Sequence, residues 1–571
     1  MKKFLALILA LVMVLGLAAC GKQAAPAETP ATEAPAEAPA EAPAEEVAEA
    51  PAEEAAAKTS FTVQIGPNPE TLDPALNSAV DGGNMLVMLD ETLLIIDENL
   101  NVQPGQAESY TVSEDGLTWT FTMRDGLKWS DGTELNAKDF EYSFKRVCDP
   151  NVAAPYGETV MGMVKGYAEA AAGDLDALQV KASEDGKTLT VELAYPCSYF
   201  DKLAAFGTLS PVQKATVEAN GDAWATTPET YVCNGPYMIS EWVPGERIVT
   251  VKNPNYVGGW DSSRIVTDEI TYLLLEDSAA AYAAYNSGEA VMIKDVPTEE
   301  IPSLKKAEDG GEFYVDPILG TYYLNMNCQI EPFNDVNVRE ALNLAIDRDY
   351  IANVVMQGTY APAYNFVGPG VTDPNGFFMD TAVAENGGYY ISEDYEANLE
   401  AAKQALADAG YPNGEGFPTI TYSTNDTGYH KAVAEYLRSC YAELGITMDI
   451  EIVEWASFTP KRRAGEYEMA RSGWVMDYND ASNLIELLYS TNGNNDGKYN
   501  NPEFDAAIDA SKVADANAHF EALHDAEDVM MADYACIPVA YYTDFYLQSA
   551  SLQGTWHSPY GYWFFMYGYV A

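Results

Sequence analysis

Glu114-Asp115-Gly116-Leu117-Thr118-Trp119-Thr120-Phe121-Thr122-Met123-Arg124-Asp125-Gly126-Leu127-Lys128-Trp129-Ser130-Asp131-Gly132 is the stretch on which the fold of this 571-residue chain turns. From Thr118 to Met123 apolar and polar residues alternate, with Trp119, Phe121 and Met123 on one face. A period of two is the pattern of a strand buried on one side. Asp125-Gly126 is a hairpin-turn signal, and Asp131-Gly132 repeats it. Asn136 then has the side chain to cap a helix whose apolar face is Phe140, Phe144 and Val147.

Outward from this stretch, helix and strand signals mix along the chain. Asn334 is placed to cap a helix with Val338, Leu342 and Ala345 on one side. A helix is predicted from about Tyr395 to Ala409, stopping at Gly410, and another from about His430 to Leu444, stopping at Gly445. Ile446, Met448, Ile450 and Ile452 follow at a period of two and read as a strand. The pattern is mixed α/β without an internal repeat. Residues 537–571 are rich in aromatics, among them Tyr541, Tyr542, Tyr546, Trp556, Tyr562, Trp563, Phe564, Phe565 and Tyr567. A final strand pair closing a core is the favoured reading over ligand stacking, because aromatics mostly supply buried area.

The start of the chain has a different character. Lys2 and Lys3 precede an apolar run from Phe4 to Leu17, too short for a comfortable membrane span and suited to an export signal. The run ends Leu17-Ala18-Ala19-Cys20-Gly21, which resembles the bacterial lipobox, so residues 1–20 are expected to be a lipoprotein signal peptide and Cys20 the lipidated N-terminus. From 21 to 58 the chain is largely Ala, Pro and Glu. Such a segment buries no apolar face, and proline favours extended polyproline II, so a disordered tether about 100 Å long at full stretch is expected. The body of roughly 510 residues exceeds the usual single domain. It has no other apolar stretch of spanning length.

The formal net charge is −56, from 87 acidic and 31 basic residues. Phosphate backbones require a basic footprint, so nucleic acid is excluded as a partner. The seven cysteines are scattered without a Cys-x-x-Cys pair, which argues against a zinc or redox motif. Isolated buried thiols are the simpler reading, and disulfide pairing stays open. Catalytic patterns are missing as well. The four histidines, His430, His519, His524 and His557, form no His-Glu-x-x-His, and no P-loop, Gly-x-Ser-x-Gly or Gly-x-Gly-x-x-Gly occurs. Asn492 to Glu503 has EF-hand-like spacing but few carboxylates, so a polar loop running into a Pro502-started helix is expected instead of a calcium site. An enzyme is not expected.

The opening stretch resembles the signature of one family. Glu114–Phe121 and Arg124–Gly132 are similar to it, as are Ala137–Ser143, Asn234–Tyr237, Asn253–Tyr256 and Pro332–Val336. The family is the extracellular solute-binding proteins, family 5, typified by the oligopeptide-binding proteins of ABC transporters. The likeness runs from about Thr71 to Tyr542. It implies an α/β, bilobal periplasmic-binding-protein-like (type II) fold with an additional domain and a hinge between the lobes. Lobe I would comprise 59–90, 215–320 and 544–571, the additional domain 91–214, and lobe II 321–543. The implied function is capture of short peptides at the outer or periplasmic face of the cell membrane. Delivery to the permease and ATPase of an importer follows, by a monomer without a cofactor, attached to the membrane only through its lipid. Recognition of the peptide backbone by strand-like pairing gives affinity without sequence choice.

Site residues carry over from the same resemblance. Arg471-Ser472-Gly473-Trp474-Val475-Met476-Asp477-Tyr478-Asn479 looks like the family's peptide-binding strand. Asp477 matches the aspartate that pairs with the ligand's α-ammonium, and Arg471 an arginine near its C-terminal carboxylate. Arg462 and His430 match further basic positions for that end, and Tyr156 a pocket tyrosine. Gly473, Val475, Ser78, Ala79 and Val80 would offer backbone groups, with Trp474 and Tyr542 completing the set. The sequence also departs from the pattern. A common glutamate is Ser78, a lysine used for the shortest peptides falls at Val355, and two cysteines that pair in some relatives fall at Gly320 and Val475. The missing lysine argues against dipeptides. Rival readings are a non-peptide solute such as a nickel complex, haem or sugar, and a surface sensor that works without a transporter.

Overall fold

The computed structural model describes residues 58–305, 311–386, 389, 394–425, 428–513 and 515–571. The expected signal segment, Cys20 and the tether up to residue 57 lie outside the described residues. Ala57–Ala571 is one compact unit. Among the described residues no helix is long and apolar enough to cross a membrane.

A mixed sheet of eleven strands runs through the body. One flank places Ser60–Gln64 between Glu269–Leu273 and Met292–Ile293, parallel to both. The other places Ile420–Thr424 between Met448–Ile452 and Met469–Val475, again parallel to both. Parallel neighbours need a crossover. Helix Ser278–Ser287 carries the chain from Glu269–Leu273 to Met292–Ile293, and helix His430–Ala442 from Ile420–Thr424 to Met448–Ile452. Phe61, Val63, Tyr237, Ile270 and Phe565 pack under the first flank, and Leu324, Ile420, Val433, Leu437 and Ile537 under the second.

Two long strands tie the flanks together. Phe313–Met326 and Cys536–Gln548 pair antiparallel with register shifts between Tyr322 and Tyr323 and, more widely, between Pro317 and Thr321. Proline has no N–H for the ladder, so the pairing breaks there at little cost. The two-lobed architecture expected of the family is therefore carried by one continuous sheet whose two halves meet at an irregular join.

The opening stretch belongs to a separate antiparallel sheet of four strands, in the order Ala107–Val112, Thr118–Met123, Thr188–Glu192, Val180–Ala182. Trp119, Phe121 and Met123 all face its core, beside Phe140, Phe144 and Phe200. A one-residue slip would turn all three to solvent, which fixes the register. The turn at Asp125-Gly126 differs from expectation. It does not join Thr118–Met123 to a partner immediately after it; that strand pairs instead with Ala107–Val112 and with Thr188–Glu192, much further along the chain. The chain beyond Gly126 forms only a small bridge, Lys128 to Glu134, around Asp131-Gly132.

Most helix ends are as read. Asn136 caps helix Ala137–Val147 in a reciprocal box: its Oδ1 accepts from the Lys138 N–H, and Asp139 Oδ2 accepts from the Asn136 N–H. Helix Tyr395–Asp408 ends before Gly410, and His430–Ala442 before Gly445, both glycines at positive φ. The cap of helix Val336–Leu344 is Asp335 instead of Asn334; its carboxylate accepts from the Asn337 N–H at 2.9 Å. The loop from Asn492 leads into helix Pro502–Ser511, capped by Asn501. The aromatic tail closes a core: Trp556–His557 pairs with Trp563–Phe564, and Trp556 stacks on Phe564 at 4.6 Å. The six cysteines in the described residues are free thiols, five of them buried.

Candidate functional site

The strand Met469–Val475 lies against Phe313–Met326, with Arg471 opposite Leu324, Gly473 opposite Tyr322 and Val475 opposite Gly320. The positions matched to a family disulfide, Gly320 and Val475, are thus cross-strand neighbours. Alternation puts Arg471, Gly473 and Val475 on one face and Trp474 on the other. The chain then leaves the sheet through Met476 and Asp477, where it meets the region 91–214.

Asp477 is buried. Its Oδ1 accepts from the Tyr156 hydroxyl at 3.1 Å, and its Oδ2 from the Asn483 amide at 3.1 Å. The Tyr156 ring sits 6.2 Å from the Trp474 ring. Burial pushes the Asp477 carboxyl up to about 7, against the two hydrogen bonds, which lower it. Among the described residues no Lys, Arg or His forms an ion pair with Asp477. Such a carboxylate is costly to ionise unless a cation arrives from outside.

At the other end of the strand, Arg471 donates to the Tyr542 hydroxyl at 2.7 Å, and its guanidinium lies 5.4 Å over the Tyr322 ring. Gly473 makes room for this arrangement. A Cβ at that position would fall 2.0 Å from the Tyr542 hydroxyl oxygen. Tyr322 in turn packs against His430, with ring centres 5.4 Å apart.

Two residues read as basic partners for a carboxylate differ from that reading. His430 is not a cation here: burial, and then the nearby Arg471 charge, hold its imidazole well below the usual range. The charge of Arg462 is already met, since its Nε donates to Asp496 at 2.7 Å and its guanidinium also reaches the Arg471 carbonyl at 3.2 Å. Arg471, buried among the phenols of Tyr542, Tyr322, Tyr422 and Tyr360, carries the positive charge of this end.

Ser78, Ala79 and Val80 lead into helix Val80–Leu89, with Ala79 extended at the N-cap. The first N–H groups of a helix have no intrahelical acceptor. Val80 and Val475 come together at Gly561, where a Cβ would lie 3.7 Å from a methyl of each. Val355, the position of the missing lysine, packs against the apolar core. Two site residues escaped the sequence reading. Asn483 sits in a polar run, Asn479-Asp480-Ala481-Ser482-Asn483, that reads as loop. Tyr562 lies within electrostatic reach of Asp477 and Tyr156, yet it was one aromatic among many in the tail.

The remaining histidines serve packing and local pairing. His519 bridges the Ser511 carbonyl at 2.6 Å and Asp480 at 3.1 Å. His524 stacks on Phe378 at 3.8 Å, and His557 meets Asp544 at 2.8 Å.

Two sheet halves are thus joined by long strands, and the buried Asp477 stands just past the strand that carries Arg471. The family model for bacterial extracellular solute-binding proteins, family 5 (middle), matches residues 101–496. The chain belongs to this family. It is 37% identical over 498 residues to the periplasmic oligopeptide-binding protein OppA of Salmonella typhimurium, covering 86% of this chain and 88% of that protein. It is also similar to the crystal structure of Haemophilus influenzae OppA in complex with RPPGFSPFR. There the TM-score is 0.79 and the identity 30%, covering 90% of this chain and 99% of the other. The substrate-binding domain of an oligopeptide ABC transporter from Bacillus anthracis matches with a TM-score of 0.80 at 27% identity, over 90% and 99% of the two chains.

Proposed function

We propose that this chain is an extracellular substrate-binding lipoprotein that captures short peptides and delivers them to an ABC importer. The observation that carries the reading is Asp477, a buried carboxylate with two neutral donors and no cationic partner among the described residues. A peptide's α-ammonium supplies the missing charge. Arg471, on the strand that leads up to Asp477, receives the C-terminal carboxylate, and the edges of Gly473, Val475 and Ser78–Val80 pair with the ligand backbone. Trp474, Tyr156 and Tyr542 wall the site. The relatives named for oligopeptide binding, and one named as part of an ABC transporter, support both halves of the proposal.

In this reading Cys20 carries the lipid that holds the protein at the membrane surface, and residues 21–58 are the tether. The lobes divide at 320/321 and 543/544, with 91–214 as the additional domain. The register shift between Pro317 and Thr321 supports a hinge there.

Native mass spectrometry of protein purified from cells is expected to identify co-purified peptides. In the stripped protein a tri- to pentapeptide mixture is expected to raise the melting temperature, by about 2.7 kcal/mol of added stability at a hundredfold excess over Kd. No co-purified peptide, together with an unchanged melting temperature, would contradict the proposal.

A further inference from the structure

We infer that Asn483 is the positioning residue of the ammonium site, fixing the Asp477 carboxylate through one oriented amide. The inference rests on the reading of Asp477 given above. Asn483 is 4% exposed, and its carboxamide makes three hydrogen bonds to Trp474 and Asp477. Its Oδ1 accepts from the Asp477 backbone N–H at 3.0 Å and from the Trp474 indole N–H at 3.0 Å, and its Nδ2 donates to Asp477 Oδ2 at 3.1 Å.

These contacts decide the amide's orientation. Two N–H donors converge on one end of the carboxamide, so that end is the oxygen; the reverse flip would set NH₂ against two donors. The other end is then a donor aimed at the carboxylate. Asn483 therefore ties strand to site. It binds the Asp477 backbone N–H, the Trp474 indole and the carboxylate itself.

Asn483 is in turn fixed from behind. It lies in the short helix Ser482–Ile485, whose Ser482 N–H and hydroxyl both donate to Asp480 Oδ1, at 3.1 and 2.7 Å. Asp480 also meets His519 at 3.1 Å. The chain of contacts His519, Asp480, Ser482, Asn483, Asp477 runs from the core to the site.

Asp477 needs this support because its remaining donor, Tyr156, comes from a different part of the fold. Of the titratable groups around it, Tyr156 and Tyr562 are phenols that burial keeps neutral, and Arg463 acts on Tyr156 from further off. Between about pH 5 and 8 neither phenol titrates, so removing the Asn483 donor acts on Asp477 directly. The carboxylate becomes harder to ionise and less well aimed, and a ligand ammonium loses most of its partner.

The test compares Asn483→Leu with wild type by calorimetry, using a free tripeptide and its N-acetylated form across pH. The free peptide is expected to bind about ten- to a hundredfold more weakly to the variant, while the acetylated peptide changes far less. The acid limb of free-peptide binding is expected to move to higher pH, which a general loss of packing would not produce. Should Asn483→Leu fail to fold, Asn483→Ser, smaller and uncharged, removes the carboxamide donor without setting a second carboxylate beside Asp477. It is expected to show the same shift of the acid limb and the same loss confined to the free peptide. Equal losses for both peptides with an unmoved acid limb, or no loss at all, overturn the positioning role alone. Equal affinity of wild type for free and acetylated peptide overturns the ammonium reading, and the inference with it.

Discussion

At residue 473 the sequence offers no side chain, and the site depends on that vacancy. The Tyr542 hydroxyl stands where a Cβ would be and receives a hydrogen bond from Arg471. Gly473→Ala is therefore expected to displace Tyr542 and the arginine it holds. Overpacking of this kind costs about 1–3 kcal/mol, which denaturant unfolding would register as a lower midpoint. An unchanged midpoint would mean that Tyr542 is free to move and that Gly473 is not required. This role was not legible in the sequence, where Gly473 suggested only an open backbone edge. The same limit applies to His430 and Arg462. A basic residue type is visible in sequence, but whether it is charged and unpaired depends on burial and on Asp496, a residue 34 positions from Arg462.

At the scale of elements, legibility followed the range of the interaction. The alternating strand Thr118–Met123, the Asn136 cap and the glycine stops at 410 and 445 are decided by neighbours within a few residues, and each formed as read. The partner of Thr118–Met123 was misread because Asp125-Gly126 satisfies turn geometry without demanding a hairpin; burial of Trp119 and Phe121 against distant Leu189 and Val191 outweighed the local signal. Asp335 rather than Asn334 caps its helix, a one-residue uncertainty inherent to two adjacent capping types. Asp477 and Arg471 were nameable only through the family resemblance, since neither residue type in isolation announces a ligand. Asn483 and Tyr562 reach Asp477 through folding alone, and no spacing rule marks them.

For the whole molecule, burial is set against charge. Asp90, Asp477, Glu486 and Glu527 are each pushed by burial to about 7, in a chain of formal net charge −56. Their folded pKa values lie above the unfolded ones, so the folded state binds more protons between those limits. Stability is then fully present below the unfolded carboxylate range and is lost as pH rises through about 7. His430, held neutral, opposes this as pH falls below its ordinary value, but it is one group against four. The ligand-free protein is expected to unfold at a higher temperature at about pH 5.5 than at about pH 8. Equal or reversed melting temperatures would contradict the raised proton affinity of these carboxyls in the folded protein.

The central claim is that Asp477 awaits a peptide's ammonium, and calorimetry of wild type at pH 7 tests it most directly. With its carboxyl pushed up to about 7 by burial, Asp477 holds part of a proton before binding, and the ammonium drives it to the ionised form. A free tripeptide titrated in buffers of different ionisation enthalpy is therefore expected to show net proton release on binding. It is also expected to bind about a hundred- to a thousandfold tighter than its N-acetylated form, which brings no ammonium for the carboxylate to pair with. Equal affinities, with no buffer-dependent heat, would contradict the account.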